Sequence, residues 1–230
     1  MTVLAITTST GQVGVALGGP SGVVASLRIN QGRRHGETLA PAIDALLRMS
    51  SLTPRDLTLV AVDRGPGLFT GLRVGVATAK ATADALGIPL ASSTSLELLA
   101  RPFAERAGPV MSVVDAKRGE VFWALFERCA RGMELVGEPD VATPAGLAAE
   151  VGSVVRAEGS LLLVGEGARR YLAELVAHPG VEMADPGFDH PSPDVLVELS
   201  GAAVVVEPAL LMPLYLRGAD VRLGWEQRDR

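Results

Sequence analysis

TVLAITTSTGQVGVALGGPSGVVASLRI, residues 2–29, holds three β-rich runs (2–9, 13–17 and 23–29) separated by two short breaks that carry glycine. Breaks this short between strand-like runs read as hairpin turns, so the spacing predicts an antiparallel meander of three strands. From about Thr38 to Ser50, Leu39, Ile43, Leu46 and Leu47 recur at helical spacing. Pro41 is expected near the first turn of that helix, where a missing N–H does little harm. LTLVAV (57–62) is a continuous apolar strand, and DRGPGLFTGLRVGVATAKATADALG (63–87) passes through a glycine and proline turn into a second helix. The order over this half is βββαβα.

The second half repeats that order. VMSVVD (110–115), VFWALFE (121–127) and MELVGE (133–138) are three more strands joined by short turns. A short helix is expected from Pro144, then a strand at LLLVG (161–165) and an amphipathic helix at ARRYLAELVA (168–177). SPDVLVELSGAAVV (192–205) gives one more helix, and PLYLRG (213–218) follows. Two βββαβα units in tandem are the plan of the actin, sugar-kinase and heat-shock ATPase superfamily, in which two ribonuclease H-like lobes face a ligand cleft. The expected fold is a two-lobed α/β protein, with an N-terminal lobe over 1–106 and a C-terminal lobe over 107–205. A segment at about 206–220 is expected to pack back on the first lobe. Likeness of plan says nothing about activity.

Composition narrows the class. A chain of 230 residues can bury a substantial core. At 48% hydrophobic and 20% charged residues it is ordinary globular material. The net charge of −5 gives no sign of the basic face that a protein holding nucleic acid by itself needs. A single cysteine, Cys129, excludes an internal disulfide and a thiolate metal cluster. The opening run VLAITTST has neither a basic start nor a cleavage site, and no stretch reaches the roughly 20 apolar residues that cross a membrane. The expected location is the cytoplasm.

The turn ITTSTGQ (6–12) is the first candidate for chemistry. In the two-lobed superfamily this hairpin meets nucleotide phosphates through backbone N–H groups and short hydroxyl side chains, and an aspartate there helps to hold the metal. Thr7 stands at the aspartate position, which removes the best oxygen ligand for a hard cation. Thr8, Ser9 and Thr10 can donate to a phosphate or satisfy the turn's own backbone, and the second reading is preferred. GPGLFTG (65–71) fits neither the Walker nor the dinucleotide spacing. Its glycines permit a tight strand-to-helix turn, or an anion at the helix N-terminus. His35, His178 and His190 include no pair at i,i+4 spacing, which disfavours a helical metal site, and His35 is expected to orient a strand–helix junction. Asp115, in VVDAKRGE, is either a second cleft acid or a turn residue beside Lys117 and Arg118.

The helix after the GPG turn is poor in charge. From Gly71 to Leu86 it carries only Arg73, Lys80 and Asp84, and Gly71, Gly75, Ala79 and Ala83 make a strip of small residues. Such a strip lets a second helix approach closely, and no broad polar face stands opposite. The helix over 38–50 carries only Asp44 and Arg48. The pair of helices is either a protein–protein face or covered by the second lobe.

LAITTST, RRHGETLAPAIDALL, VAVDRGPGLFTGLRVGVATAKATADALGIPLASSTSLELLA, VVDAKRGEVFWALFE and PLYLR, in this order, resemble the TsaB (YeaZ-like) family. Members of that family are dimerisation subunits of the bacterial tRNA threonylcarbamoyladenosine synthase. The matching blocks cover the first 127 residues well. The resemblance implies a fold shared with the catalytic TsaD subunit but not its active site, and therefore no catalytic residues. It implies pairing with a TsaD-type subunit, or with itself when alone, through the two helices of the N-terminal lobe. A TsaE-type ATPase joins that complex, and tRNA is reached only through it. Carried over, the pairing surface uses Leu39, Ile43, Leu46 and Leu47 with Val76, Ala79, Lys80 and Ala83. No metal and no tightly bound cofactor are implied. ATP or ADP held weakly at the shared interface is compatible with the resemblance, with Thr7, Thr8, Ser9, Thr10 and Asp115 as the cleft residues. LASSTSLELLA (90–100) lacks the histidine pair that TsaD-like proteins use for metal, and Leu68 stands where a serine is usual in the family. The rival reading on the same fold is an active small-molecule kinase or acyltransferase, which requires tight ATP–Mg²⁺ binding. A peptidase would need a nucleophile with a base or metal, which Cys129 and the scattered histidines do not supply.

Overall fold

β1 (Val3–Thr7), β2 (Gln12–Gly19) and β3 (Gly22–Asn30) form an antiparallel meander. The structure is a computed structural model and describes residues 1–216 apart from positions 31, 33, 131, 177 and 202–204. From β3 the chain crosses through α1 (His35–Met49) to β4 (Leu59–Asp63), parallel to β1. It crosses again through α2 (Phe69–Leu86) to β5 (Leu90–Ser93), parallel to β4. After α3 (Ser95–Ala100) the same plan recurs. β6 (Val110–Lys117), β7 (Glu120–Cys129) and β8 (Gly132–Ala142) form a second meander. α4 (Pro144–Glu158) leads to β9 (Leu161–Val164), and α5 (Glu166–Arg170) and α6 (Leu172–Leu175) lead to β10 (Val181–Met183). α7 (Pro193–Ser200) follows, and β11 (Val205–Val206) adds antiparallel to β5. The strand orders are β11-β5-β4-β1-β2-β3 and β10-β9-β6-β7-β8, so the sheets correspond strand for strand apart from β11. This is the duplicated βββαβα plan of the actin-like α/β fold.

Burial explains why these segments take these roles. β4 (LVAVD) is buried along its whole length, as a central parallel strand covered on both faces must be. β3 is the edge, and Ala25, Leu27 and Ile29 turn toward the core under α1 and α2, while Ser26 and Arg28 lie on the opposite face, where Arg28 reaches Ser192 and Asp194 at the start of α7. One face of the first sheet packs under α1 and α2 through Leu4, Ile6, Val60, Leu39, Leu46 and Val76. The other face packs under α7 through Val3, Ala5, Ala61 and Leu196. Each leucine buried this fully contributes about 2 kcal/mol. α3 joins the two halves. Its Leu98 enters the core of the first sheet, Leu96 and Leu99 enter that of the second, and Ser112 Oγ donates to Leu96 O at 2.8 Å.

Several elements depart from the sequence reading. α1 starts three residues early, at His35, because that side chain is buried and bonded at the junction (below). Pro41 therefore lies in the second turn, where it removes the donor to Glu37 O. Both residues are on the exposed side, where that loss costs least. α4 runs fifteen residues, to a left-handed Gly159, and its N-cap Thr143 accepts from Gly146 N. The amphipathic segment 168–177 is two short helices broken at Tyr171, where Arg169 turns away to bind Asp189 and Ala184 O. The helix expected over 192–205 ends at Ser200, and positions 202–204 lie outside the described residues. Of the segment 206–220, residues 217–220 lie outside the described residues. Residues 205–211 run along β5 and α2, with Val206 and Leu211 in the core of the first sheet. Leu214 N donates to Arg64 O at 2.7 Å.

Candidate functional site

The β1–β2 turn is packed tightly inside the chain. Thr7, Thr8, Ser9 and Thr10 are all buried. Thr8 Oγ1 donates to Gly71 O at 2.8 Å, and Leu68 N donates to Ser9 O at 2.7 Å. The GPG turn and the start of α2 press directly on this backbone. A β-carbon at Gly67 would stand 2.1 Å from Ser9 O, and one at Gly71 would stand 2.1 Å from Thr8 O. At Gly75 it would meet Thr8 Oγ1 at the same distance. These glycines are needed for close approach, and the space they leave is filled by the hairpin. Among the described residues, the hydroxyls of Thr8 and Ser9 are thus engaged within the chain, to Gly71 O and Asp63. Two histidines complete the packing: His35 Nε2 donates to Thr10 O at 2.7 Å, and His190 Nδ1 lies 3.0 Å from Thr10 Oγ1. Burial pushes the His190 imidazole down from its ordinary value.

Asp63 closes the turn from beneath. Its carboxylate is fully buried at the end of β4, accepts from Gly65 N at 2.9 Å and receives the Ser9 hydroxyl. Burial raises its pKa from 3.8 to about 6, against the opposing pull of those hydrogen bonds. Folding therefore takes up a proton between these two values, and stability rises as pH falls through 6. The gain expected from this group between roughly pH 7.5 and pH 5 is on the order of 1 kcal/mol. Asp63→Asn keeps the shape and removes the buried charge. The difference in urea unfolding free energy between wild type and variant is expected to change by that amount across the same interval. A difference independent of pH contradicts a buried, titrating Asp63.

The second hairpin carries charge instead of hydroxyls. Asp115 is buried. Its Oδ1 accepts from Lys117 N at 2.8 Å, its Oδ2 pairs with Lys117 Nζ at 2.7 Å, and Arg170 Nε lies 3.6 Å away. Glu166 Oε1 accepts from Asp115 N at 3.2 Å, and burial is the chief cause of its raised pKa. Lys117, Arg118 and Gly119 all take positive φ, the sharp reversal that the carboxylate anchors. Asp115 is thus a turn residue with a full set of partners. Thr10 and Asp115 are each bound within their own hairpin neighbourhood, and no direct bond joins them among the described residues. Among those residues no three His, Cys, Asp or Glu side chains converge to hold a metal ion. No described helix is long and apolar enough to cross a membrane.

On the helix pair, Leu39, Leu46, Leu47, Val76, Ala79 and Ala83 are core residues, packed on the first sheet and on each other. The apolar spacing of Leu39, Leu46 and Leu47 and the small residues Ala79 and Ala83 mark the faces turned toward the chain's own sheet. They offer no surface to a partner. Ile43 is half-buried on the edge of the same cluster. Lys80 is committed within the chain, donating to Ala209 O at 3.1 Å and Leu211 O at 3.0 Å. The small-residue strip is also internal, with Gly71 and Gly75 against the hairpin and Ala79 and Ala83 in the core. The outward side of α2 presents Thr70, Arg73, Ala77, Ala81, Asp84 and Ala85, and that of α1 presents Glu37, Ala40, Pro41, Asp44 and Arg48. Both sides of α2 are therefore poor in charge, the inner for close packing and the outer over its middle turns. At its start Phe69 is 55% exposed, 5.5 Å from the Tyr215 ring and beneath Arg73.

A family model described as TsaD, tRNA N6-adenosine threonylcarbamoyltransferase, matches residues 22–159. The tRNA threonylcarbamoyladenosine biosynthesis protein TsaB of Bacillus subtilis is 37% identical over 127 residues, 55% of this chain and 56% of that protein. The protein of the same name from Escherichia coli is 28% identical over 235 residues, 99% of this chain and 98% of that one. YeaZ from Pseudomonas aeruginosa superposes with a TM-score of 0.80 at 26% identity, covering 94% of this chain and 99% of its own. The chain belongs to the TsaB (YeaZ) family. The stretch matched in Bacillus subtilis TsaB spans about half of that protein.

Three residues of the site in this TsaB-family chain are nearly silent in the sequence. Asp63 is visible only as the one acid closing an otherwise apolar strand, LVAVD. His190 meets Thr10 across 180 positions, which no local pattern encodes. Glu166 reads as an ordinary first-turn acid of α5 until Asp115 N is placed beside it. By contrast, the expectation that His35 orients a strand–helix junction agrees with its bond to Thr10 O.

Proposed function

We propose that this chain is a non-catalytic scaffold subunit that pairs with a TsaD-type catalytic subunit in threonylcarbamoylation of the adenosine 3′ of the anticodon in tRNA. The observation that supports this reading best is the filled hairpin. The four hydroxyl residues that a nucleotide-using relative of this fold turns toward phosphate are buried, and Thr8, Ser9 and Thr10 are bonded within the chain. The names of the Bacillus subtilis and Escherichia coli relatives supply the pathway. On this reading the chain works in the cytoplasm, carries no catalytic residue and holds no metal or tightly bound cofactor. Any ATP or ADP is held weakly at the shared interface. A TsaE-type ATPase and the tRNA are met only through the complex, in keeping with a net charge of −5. Alone, the chain pairs with itself. The partner meets the outward sides of α1 and α2, around Pro41, Ala77 and Ala81, with Ile43 at the edge. Mixing the chain with the TsaD-type protein of the same cell is expected to give a one-to-one heterodimer by light scattering on a sizing column. Separate elution of the two proteins contradicts the proposal, and tight ATP–Mg²⁺ binding by the isolated chain points instead to an active kinase or acyltransferase.

A further inference from the structure

α1 crosses between β3 and β4, α2 between β4 and β5, and β11 lies beyond β5, so the strap that follows β11, residues 208–215, flanks α2 on the side away from α1. Lys80 Nζ holds the strap at Ala209 O and Leu211 O, and Arg64 O accepts from Leu214 N. It therefore runs back along α2 from Lys80 to the Phe69–Tyr215 ring pair, about three helical turns. Leu211 is buried in the core of the first sheet, whereas Leu210 and Met212 on either side of it are 73% and 64% exposed. Large apolar side chains lined up on a backbone held this way form a patch of the kind that meets a partner.

The helix pair leaves a need for such a patch. Two helices side by side present a face of about 20 Å by 25 Å, on the order of 500 Å², where a stable interface takes roughly 800 Å² from each partner. Its middle offers alanines, and among the described residues the exposed large apolar side chains of the pair are Met49 and Phe69, at the ends. Binding energy concentrates on large buried anchors, and the strap supplies them as a third ridge beside α2. The matched stretch also bears on the choice of partner. The TsaD model matches residues 22–159, which include both helices and stop short of the strap. A helix face shared by both proteins does not by itself favour the mixed pair over a self pair, and specificity needs a feature found on one side only. We propose that residues 208–215 are the part of the pairing surface that selects a TsaD-type subunit over a second copy of this chain, with Leu210 and Met212 as anchors in an apolar recess of that subunit. The inference rests on the reading that α1 and α2 meet such a subunit.

Sedimentation of the full chain, alone and with the TsaD-type protein of the same cell, tests this on a double variant, Leu210→Ser with Met212→Ser. The mixed pair is expected to weaken at least about tenfold while self-association stays unchanged, and Tm is expected to stay within about 2 °C, as both side chains are exposed. Val136→Ser, an exposed apolar position on β8, is the control and should alter neither pair. Should the double variant melt early, Met212→Ser alone makes the same comparison. An unaltered mixed pair overturns the proposal. So does equal weakening of both pairs, or weakening of the self pair alone, which would make a second copy the occupant of the strap. A wild-type chain that fails to pair with the TsaD-type protein removes the underlying reading, and the selective role with it.

Discussion

Gly71→Ala is expected to destabilise the protein by about 3 kcal/mol, although alanine is the better helix former by about 1 kcal/mol. Gly71 lies in the first turn of α2, and a β-carbon there would stand 2.1 Å from Thr8 O and 3.2 Å from His35 Nε2. The first of these atoms belongs to the backbone of β1's buried turn and cannot rotate away. Either α2 shifts outward or the hairpin is displaced, and both routes disturb Leu68 N to Ser9 O and Thr8 Oγ1 to Gly71 O. For a chain of this length the loss corresponds to a fall in Tm of roughly 6–12 °C. Gly36→Ala, in α1, provides the opposite sign. Nothing lies within 4 Å of a β-carbon there, so the helix propensity acts alone and a gain of about 0.5–1 kcal/mol is expected. Thermal melts of the two variants check both signs. A neutral Gly71→Ala contradicts the tight contact between α2 and the turn.

The second large effect concerns association. Ala81→Arg, on the outward side of α2, is expected to leave Tm within about 2 °C, as an exposed substitution should. It is expected to weaken pairing with a TsaD-type subunit by at least about 100-fold, because a long charged side chain is forced into a helix-to-helix contact. Ala157→Arg, on the exposed side of α4, is the matched control and should leave pairing unchanged. Lys80 is the wrong position for this test, because its ammonium anchors the carbonyls of Ala209 and Leu211. A charge change there alters the chain's own C-terminal segment before it reaches any partner. Sedimentation of each variant with the TsaD-type protein separates the cases, and full pairing by Ala81→Arg moves the interface off this helix.

The meanders were legible because strand periodicity and glycine-bearing turns are local signals, and the crossovers followed from β4 and β9, short apolar runs that only a central parallel strand explains. The break at Tyr171 was hidden, since no glycine or proline within 168–177 marks it. At the helix pair the apolar stripe of Leu39, Leu46 and Leu47 and the small-residue strip of Ala79 and Ala83 were visible, yet a stripe does not say which body it faces. Here it faces the first sheet, and the outward residues carry almost no pattern at all. Asp63, His190 and Asp194 gain their meaning from contacts across tens to hundreds of positions, such as Ser9 to Asp63 and Arg28 to Asp194. Their chemistry belongs to the fold and becomes readable only with it.

The most direct test of the central claim is tRNA threonylcarbamoylation by the TsaD-type and TsaE-type proteins of the same cell, with the adenylate donor, in the presence and absence of this chain. The scaffold account predicts modified adenosine only when the chain is added, with Ala81→Arg failing to restore it. Equal modification without the chain contradicts that account.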